Sequence, residues 1–282
     1  MRQPRWRPQR THAAAPPSAG GRQRDKRPPK AERSRHAGHP RDRGDEPVVL
    51  YGWHTVVSAL ENPQRHFRQL LATENAARRL ADTGIRLPIQ PELVRPDALA
   101  ARLGPEAVHQ GLLAEADPLP TPTIDELGPT GVVLVLDQIT DPHNVGAILR
   151  SAAAFGVAAV VTTARHAPQA SGVLAKSASG ALEHVPVVEV TNLARALEAL
   201  RVRGFVSVGL DSEADFDLAA APLKTPLALV LGAEGKGLRQ LTRANCDVLA
   251  RLDLPGPIKS LNVSNAAAVA LYVTRLKLIL PA

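Results

Sequence analysis

The second half of the chain alternates apolar segments with helical patterns, and this rhythm limits the possible folds more than any other feature. The segments GVVLVLDQ, VAAVVT, FVSVGL, LALVLG and VLARLDL are almost continuously apolar. Strands that are apolar on both faces are typical of a mostly parallel sheet with helices covering both sides. The sequence therefore predicts an α/β domain over residues 128–282, with its chemistry in the loops that follow the strands.

Helical periodicity supports this interpretation. Helices are predicted over residues 144–155, 171–180, 192–203 and 264–280, and Asn192 is a suitable N-cap for the third of them. A smaller α/β domain is predicted over residues 47–116. Its expected elements are a strand, a turn at Gly52, a helix ending before Pro63, a second strand in HFRQLLAT, a helix over 74–81, an apolar segment near 85–89 and a last strand over 109–116. The proline-rich stretch that follows predicts a linker over 117–127.

The net positive charge of the chain is concentrated in the first 46 residues. They hold 13 of the 34 Lys and Arg and 5 of the 27 Asp and Glu, so their net charge is +8, while residues 47–282 carry 21 − 22 = −1. This segment has almost no aliphatic residues, so we predict a disordered basic tail. Such arms contact nucleic acid through its phosphates, although a merely solubilising tail has the same composition.

The composition also bears on the compartment. The chain has a single cysteine, Cys246, so no internal disulfide is possible and a cytoplasmic location is expected. No apolar run reaches the roughly 18 residues of a membrane span, and the arginine-rich N-terminus is unlike a secretory signal.

Three loops after predicted strands contain candidate functional residues. The first, residues 137–156, holds Asn144, Gly146 and Arg150; Arg150 is either a solvated helix charge or, given its apolar neighbours, an arginine with an anionic partner. The second, LGAEGKGL at 231–238, places three glycines around Glu234 and lacks the Walker A pattern, so it is either a tight turn or a loop around a ligand. The third, residues 254–273, carries Ser260, Asn262 and Ser264, which helix capping alone could explain.

The three loops taken together are more specific than any one of them. NVGAILR, LGAEGKGL and PGPIKSLNVSNA, in this order and spacing, resemble the three motifs of the SpoU (TrmH) family of RNA 2′-O-methyltransferases, of the SPOUT class. In the front domain, YGWHTVVSALENP and HQGLLAE resemble the small substrate-binding domain of RlmB-type 23S rRNA guanosine methyltransferases, an L30e-like fold. The resemblance implies a trefoil knot in the C-terminal domain and a homodimer whose active site is completed across the interface.

Residue roles follow from the resemblance alone. It implies Asn144, Arg150, Glu234 and Asn262 as catalytic residues. It implies that Gly232, Leu252 and Leu261 bind S-adenosylmethionine, largely through backbone groups, with Ser260 and Ser264 in support. Asn265 and Ala266 depart from the residues that commonly follow SLNVS, at positions without an assigned role.

The reaction implied is methyl transfer from S-adenosylmethionine to a ribose 2′-hydroxyl, and the front domain favours a guanosine in 23S rRNA. A sulfonium methyl is already activated, so no metal is expected. A guanidinium stays protonated at neutral pH, so we interpret Arg150 as a phosphate clamp and a stabiliser of the developing alkoxide rather than as the base. Alternatives are 2′-O-methylation of tRNA, an antibiotic-resistance methylase acting on another rRNA nucleotide, and a non-catalytic RNA-binding protein.

Overall fold

The structure is a computed structural model of the full chain, and it describes residues 46–165 and 172–279. The predicted basic tail lies outside the described residues, apart from Glu46. The predicted helix over 171–180 and the end of the one over 264–280 also extend beyond them.

The first part of the chain forms a four-stranded sheet with three helices. Its elements are β1 (Val48–Tyr51), α1 (Trp53–Glu61), β2 (Phe67–Ala72), α2 (Glu74–Asp82), β3 (Glu92–Leu93), α3 (Pro96–Leu103) and β4 (Leu112–Ala116). The strand order is β1-β4-β2-β3, antiparallel except for the β2–β3 pair. The small α/β domain is therefore confirmed, although the segment at 85–89 forms no strand and α3 was not foreseen.

The second part is built on a seven-stranded sheet. Its strands are β5 (Val132–Asp137), β6 (Ala159–Thr163), β7 (Val187–Val190), β8 (Val206–Leu210), β9 (Phe216–Asp217), β10 (Leu227–Gly232) and β11 (Val248–Arg251). Its helices are α4 (Pro142–Ala154), α5 (Gly172–Ala178), α6 (Leu193–Val202), α7 (Gln240–Ala244) and α8 (Val263–Ile279). Two short 3₁₀ helices lie at Ile124–Glu126 and Ala181–Glu183.

All strand pairs of this sheet are parallel, in the order β7-β6-β5-β10-β8-β11-β9. Its two faces pack against separate clusters of buried aliphatic side chains, one including Leu134 and Leu229 and the other including Val133 and Val230. Neighbouring residues of one strand thus point into opposite cores, which explains the continuous apolar runs. The predicted α/β class with a parallel sheet is confirmed; the knot remains a prediction.

Local capping sets several helix starts. The Asn192 side chain accepts a hydrogen bond from the Arg195 backbone N–H, as predicted for the N-cap of α6. Helix α4 begins at Pro142 rather than at Asn144, because the Asp141 carboxylate accepts from the His143 N–H and proline suits the first helical turn. Asn144 therefore lies inside the first turn of α4.

A buried ion pair joins the two parts of the molecule. The Arg65 and Glu183 side chains are 4% and 2% exposed, and Arg65 Nη2 lies 2.8 Å from Glu183 Oε1. Arg65 also donates to the Asp117 carbonyl at 2.8 Å, and the Asn62 amide donates to Glu183 at 2.7 Å. Two charges can be buried in this way because each has a charged partner and further hydrogen bonds. The network fixes the position of the small domain relative to α5 and the large sheet.

Candidate active site

The first two candidate loops leave the same edge of the large sheet. Strands β5 and β10 are parallel neighbours, and Gly232 at the end of β10 lies opposite Asp137 at the end of β5. The chain turns sharply after β5, because Gln138 adopts a φ of +59°, which non-glycine residues seldom do. Both loops therefore begin side by side at the carboxyl edge, where ligands bind in sheets of this kind.

The third loop meets the first through two asparagines. Asn262 Nδ2 donates to Asn144 Oδ1 at 3.0 Å, across 118 residues of sequence. The Asn262 Oδ1 atom accepts from the Ser264 backbone N–H at 3.0 Å and from its hydroxyl at 2.6 Å. Asn262 thus caps α8, as the capping interpretation predicted, and also hydrogen-bonds Asn144; its catalytic role stays a prediction.

The glycine-rich loop closes tightly on itself. The Gly237 N–H donates to the Ala233 carbonyl at 2.8 Å. A Cβ on Gly232 would lie 2.2 Å from the carbonyl carbon of Gly237 and 2.4 Å from the Leu238 nitrogen. Gly232 is therefore required by the backbone of its own loop, which leaves no room for a side chain. Glu234, at the tip, is exposed and forms no hydrogen bond with any described residue.

Asp137 and Arg239, which sequence reasoning missed, hold this loop in place. The Asp137 carboxylate is fully buried; it accepts from Arg239 Nε at 2.6 Å and from the Arg239 backbone N–H at 2.9 Å. The acid at the end of an apolar strand was visible in the sequence. Its partner Arg239, 102 residues further along the chain, could not be predicted from the sequence. The pair ties the end of the glycine loop to β5.

Arg150 lies on the outer side of α4. Its neighbours Leu149 and Ala152 are fully buried, but Arg150 itself is exposed and makes no hydrogen bond or ion pair within the described residues. Arg150 can face solvent beside buried neighbours because successive helical residues point about 100° apart. An exposed, unpaired guanidinium is free to bind an anion.

Gly146 serves helix packing. A Cβ there would lie 2.3 Å from Ser177 Cβ and 2.9 Å from the Ala178 nitrogen, so this glycine allows α4 and α5 to approach closely. One turn earlier, His143 Nδ1 lies 3.2 Å from the Ser177 hydroxyl. The first motif is thus fixed against α5 by a close backbone approach and a polar interaction.

The segment between β11 and α8 offers backbone groups to a ligand. No residue from 253 to 261 forms a backbone–backbone hydrogen bond within the described part of the chain. Leu252 packs partly against the core, while Ser260 and Leu261 are exposed. Apart from the Leu254 carbonyl, which accepts from Lys259 Nζ at 2.6 Å, the N–H and C=O groups of this segment can therefore pair with a bound molecule, as binding of S-adenosylmethionine by backbone groups requires.

Cys246 is a free cysteine with a partly buried side chain. Burial raises the pKa of its thiol to about 12, and the negative charges of Asp247 and Asp137 add to the effect. Among residues 46–165 and 172–279 no cluster of three or more His, Cys, Asp or Glu could hold a metal. Nor does any helix in these ranges have the length and apolarity to cross a membrane.

Comparison with known proteins defines the class. The SpoU rRNA Methylase family model matches residues 131–272, and a model for the RNA 2′-O ribose methyltransferase substrate binding domain matches residues 49–122. The chain belongs to the SpoU family of RNA 2′-O-ribose methyltransferases, so the family and enzyme class predicted from the three motifs are confirmed.

Three individual relatives show how much of the sequence and the fold is shared. The chain is 40% identical over 238 residues to the 23S rRNA (guanosine-2′-O-)-methyltransferase RlmB of Pseudomonas aeruginosa, covering 79% of this chain and 94% of the relative. The RlmB of Ralstonia nicotianae is 40% identical over 250 residues, covering 83% and 98%. The SpoU methyltransferase AviRb from Streptomyces viridochromogenes, crystallised with the cofactor AdoMet, aligns with a TM-score of 0.69 at 26% identity, covering 82% and 90%.

Proposed function

We propose that this protein transfers a methyl group from S-adenosylmethionine to the ribose 2′-hydroxyl of a guanosine in 23S rRNA. The observation that carries the proposal is the Asn144–Asn262 hydrogen bond, which joins the first and third motifs at the sheet edge where the glycine loop also begins. The RlmB relatives, matched over 94–98% of their length, support 23S rRNA as the substrate. A ribosomal RNA substrate implies a cytoplasmic enzyme.

The residues at this edge fit the cofactor. Gly232 and Leu252 precede the two loops that would hold the cofactor. Leu261 ends the segment in which no residue forms a backbone–backbone hydrogen bond. When bound, S-adenosylmethionine supplies a methyl carbon activated by a positive sulfur. The protein must hold the 2′ oxygen, that carbon and the sulfur in line.

The remaining residues act on the RNA. S-adenosylmethionine would supply the methyl group to the 2′ oxygen, with its sulfur keeping the electron pair of the broken carbon–sulfur bond and the hydroxyl proton passing to water. Arg150 binds the adjacent phosphate and stabilises the charge that develops on the 2′ oxygen. Asn144 and Asn262 shape the site around the ribose, Glu234 closes it from the glycine loop, and Ser264 and Ser260 support the third loop.

The active protein is a homodimer in this proposal. Four large side chains on one face of α8 are exposed at intervals of three to four residues: Val269, Tyr272, Leu276 and Ile279. A contiguous apolar stripe on a soluble protein is typical of a protein interface. Light scattering should give the mass of a dimer, and Leu276→Glu should give a monomer. A monomeric wild-type protein would contradict this part of the proposal.

The test is a map of 2′-O-methyl groups in ribosomal RNA from cells with and without the gene. One guanosine of 23S rRNA should lose its methyl group in the deletion and regain it with the wild-type gene, but not with Arg150→Ala. Purified protein with labelled S-adenosylmethionine should modify the same nucleotide in unmethylated 23S rRNA. Methylation of tRNA alone, or of a different rRNA nucleotide, would favour one of the alternative substrates.

A further inference from the structure

A small cleft lies in the front domain, and one of its lining residues, Gln110, is hydrogen-bonded to Lys176 of α5. Its volume is about 250 Å³, below the roughly 300–1,000 Å³ typical of pockets for drug-sized ligands. Trp53, Arg79, His109 and Gln110 are among its lining residues, which include no carboxylate. The cleft is large enough for one flat, electron-rich ring. Its arginine and its lack of carboxylates favour an anion beside that ring.

Trp53 and Arg79 form a stacked pair at this cleft. The Arg79 guanidinium carbon lies 3.6 Å from the centre of a Trp53 ring. Trp53 is buried, while Arg79 is exposed and pairs with no carboxylate in the described residues. The stack holds the guanidinium plane in a fixed orientation, and such planes stack on unpaired RNA bases.

Lys176 of α5, in the large domain, places its ammonium group beside this cleft. Its ammonium donates to Gln110 Oε1 at 3.1 Å, and this oxygen also accepts from the Trp53 backbone N–H at 2.9 Å. Burial lowers the pKa of Lys176, and no carboxylate within the described chain pairs with it. A partly desolvated ammonium without a counter-ion is stabilised by an anion such as a phosphate.

The cleft is connected to the candidate active site by α5. Ser177 follows Lys176 and contacts His143, which precedes Asn144. Lys176 and the first motif are therefore joined through consecutive residues of α5.

We propose that this cleft binds a nucleotide of the RNA substrate near the methylated one, with an unpaired base against the Arg79–Trp53 stack and its phosphate on Lys176. The inference rests on the proposed RNA methyltransferase function. It assigns the small domain a defined role: it holds one base and one phosphate, together with α5.

The test compares Lys176→Gln and Arg79→Gln with the control Lys224→Gln. Lys224 is an exposed lysine that precedes β10, so it lies at the opposite edge of the parallel sheet. Binding to a 23S rRNA fragment is measured from 50 to 300 mM salt, together with kcat, KM for RNA and S-adenosylmethionine affinity.

Lys176→Gln should weaken RNA binding roughly three- to tenfold at low salt and reduce the slope of log affinity against log salt by about 0.7. Arg79→Gln should weaken RNA binding by a similar factor. In both variants KM should rise while kcat, Tm and cofactor affinity stay at the control values. RNA affinity and slope equal to the control, or a loss of RNA affinity accompanied by lower Tm and cofactor affinity, would overturn the inference. Failure of the wild-type protein to methylate any RNA would instead overturn the proposed function.

Discussion

The seam between the two domains and the carboxyl edge of the large sheet both hold charged side chains, but they treat them in opposite ways. At the seam, Arg65 and Glu183 are almost fully buried and each has several partners. Among the residues that follow the carboxyl ends of β5 and β10, Arg150 and Glu234 are exposed and have no partner within the described part of the chain. A buried charge without a partner would cost several kcal/mol, whereas an exposed one costs little. The seam charges therefore hold the structure together, and the edge charges remain available to a substrate.

The largest effect should come from breaking the seam pair. Glu183→Ala leaves the Arg65 guanidinium buried without its carboxylate, so the free energy of unfolding should fall by about 3–5 kcal/mol in urea denaturation. The matched control is Glu198→Ala, which removes the carboxylate of an exposed pair with Arg201 and should cost about 0–1 kcal/mol. Equal losses in the two variants would mean that the seam pair is no more structural than a surface pair.

Removing the Arg150 charge should lower the activity and leave the stability nearly unchanged, the opposite of the seam variant. Arg150→Ala should lower the rate of methyl transfer roughly 10²–10³-fold, because a group that stabilises the developing charge is removed. Its stability should change by less than about 0.5 kcal/mol, and S-adenosylmethionine affinity should be unchanged. Arg201→Ala, another exposed helical arginine, should retain full activity. A rate for Arg150→Ala above about a tenth of wild type, a loss under ~1.4 kcal/mol, would rule out the assigned role.

The glycine loop combines both kinds of charge, since the buried Asp137 carboxylate anchors it through Arg239 and the exposed Glu234 lies at its tip. Gly232→Val should weaken S-adenosylmethionine binding by roughly 100-fold, about 2.7 kcal/mol, because the loop must open to admit the side chain. Calorimetry measures the affinity, and light scattering should show that the dimer persists. Gly128→Val is the control, since nothing lies within 4 Å of a Cβ at that position. Normal affinity in Gly232→Val would remove this residue from the cofactor site.

The smallest effect should follow from deleting residues 1–46. These residues carry a net charge of +8 against −1 for the rest of the chain, so they should supply most of the long-range attraction to RNA. The truncated protein should bind an rRNA fragment more weakly at low salt and show a flatter salt dependence, by about 0.7–0.9 for each phosphate that the tail neutralises in the full-length protein. The association rate should change more than the dissociation rate, and the methylated nucleotide should be the same. Equal slopes for both proteins would leave the tail a solubilising segment.

The sequence by itself determined the fold class and the position of the three motif loops. Continuous apolar runs predicted β5, β10 and the parallel sheet, because residues that alternate between two cores must all be apolar. The spacing of the three motifs was sufficient to predict the family, which the matches to residues 131–272 and 49–122 confirm. Short elements such as α3 and β9 were missed, because a few residues carry too little periodicity to be distinguished from a loop.

Only the tertiary structure decided which of these residues meet. Asn144 with Asn262, Asp137 with Arg239, and Arg65 with Glu183 are pairs separated by more than 100 residues. Local propensity and periodicity concern neighbours along the chain, so they predict the partner of none of these residues. The exposure of Arg150 was decided in the same way, because the rotation of α4 against its neighbours, rather than the residues on either side, determines which side chains face solvent.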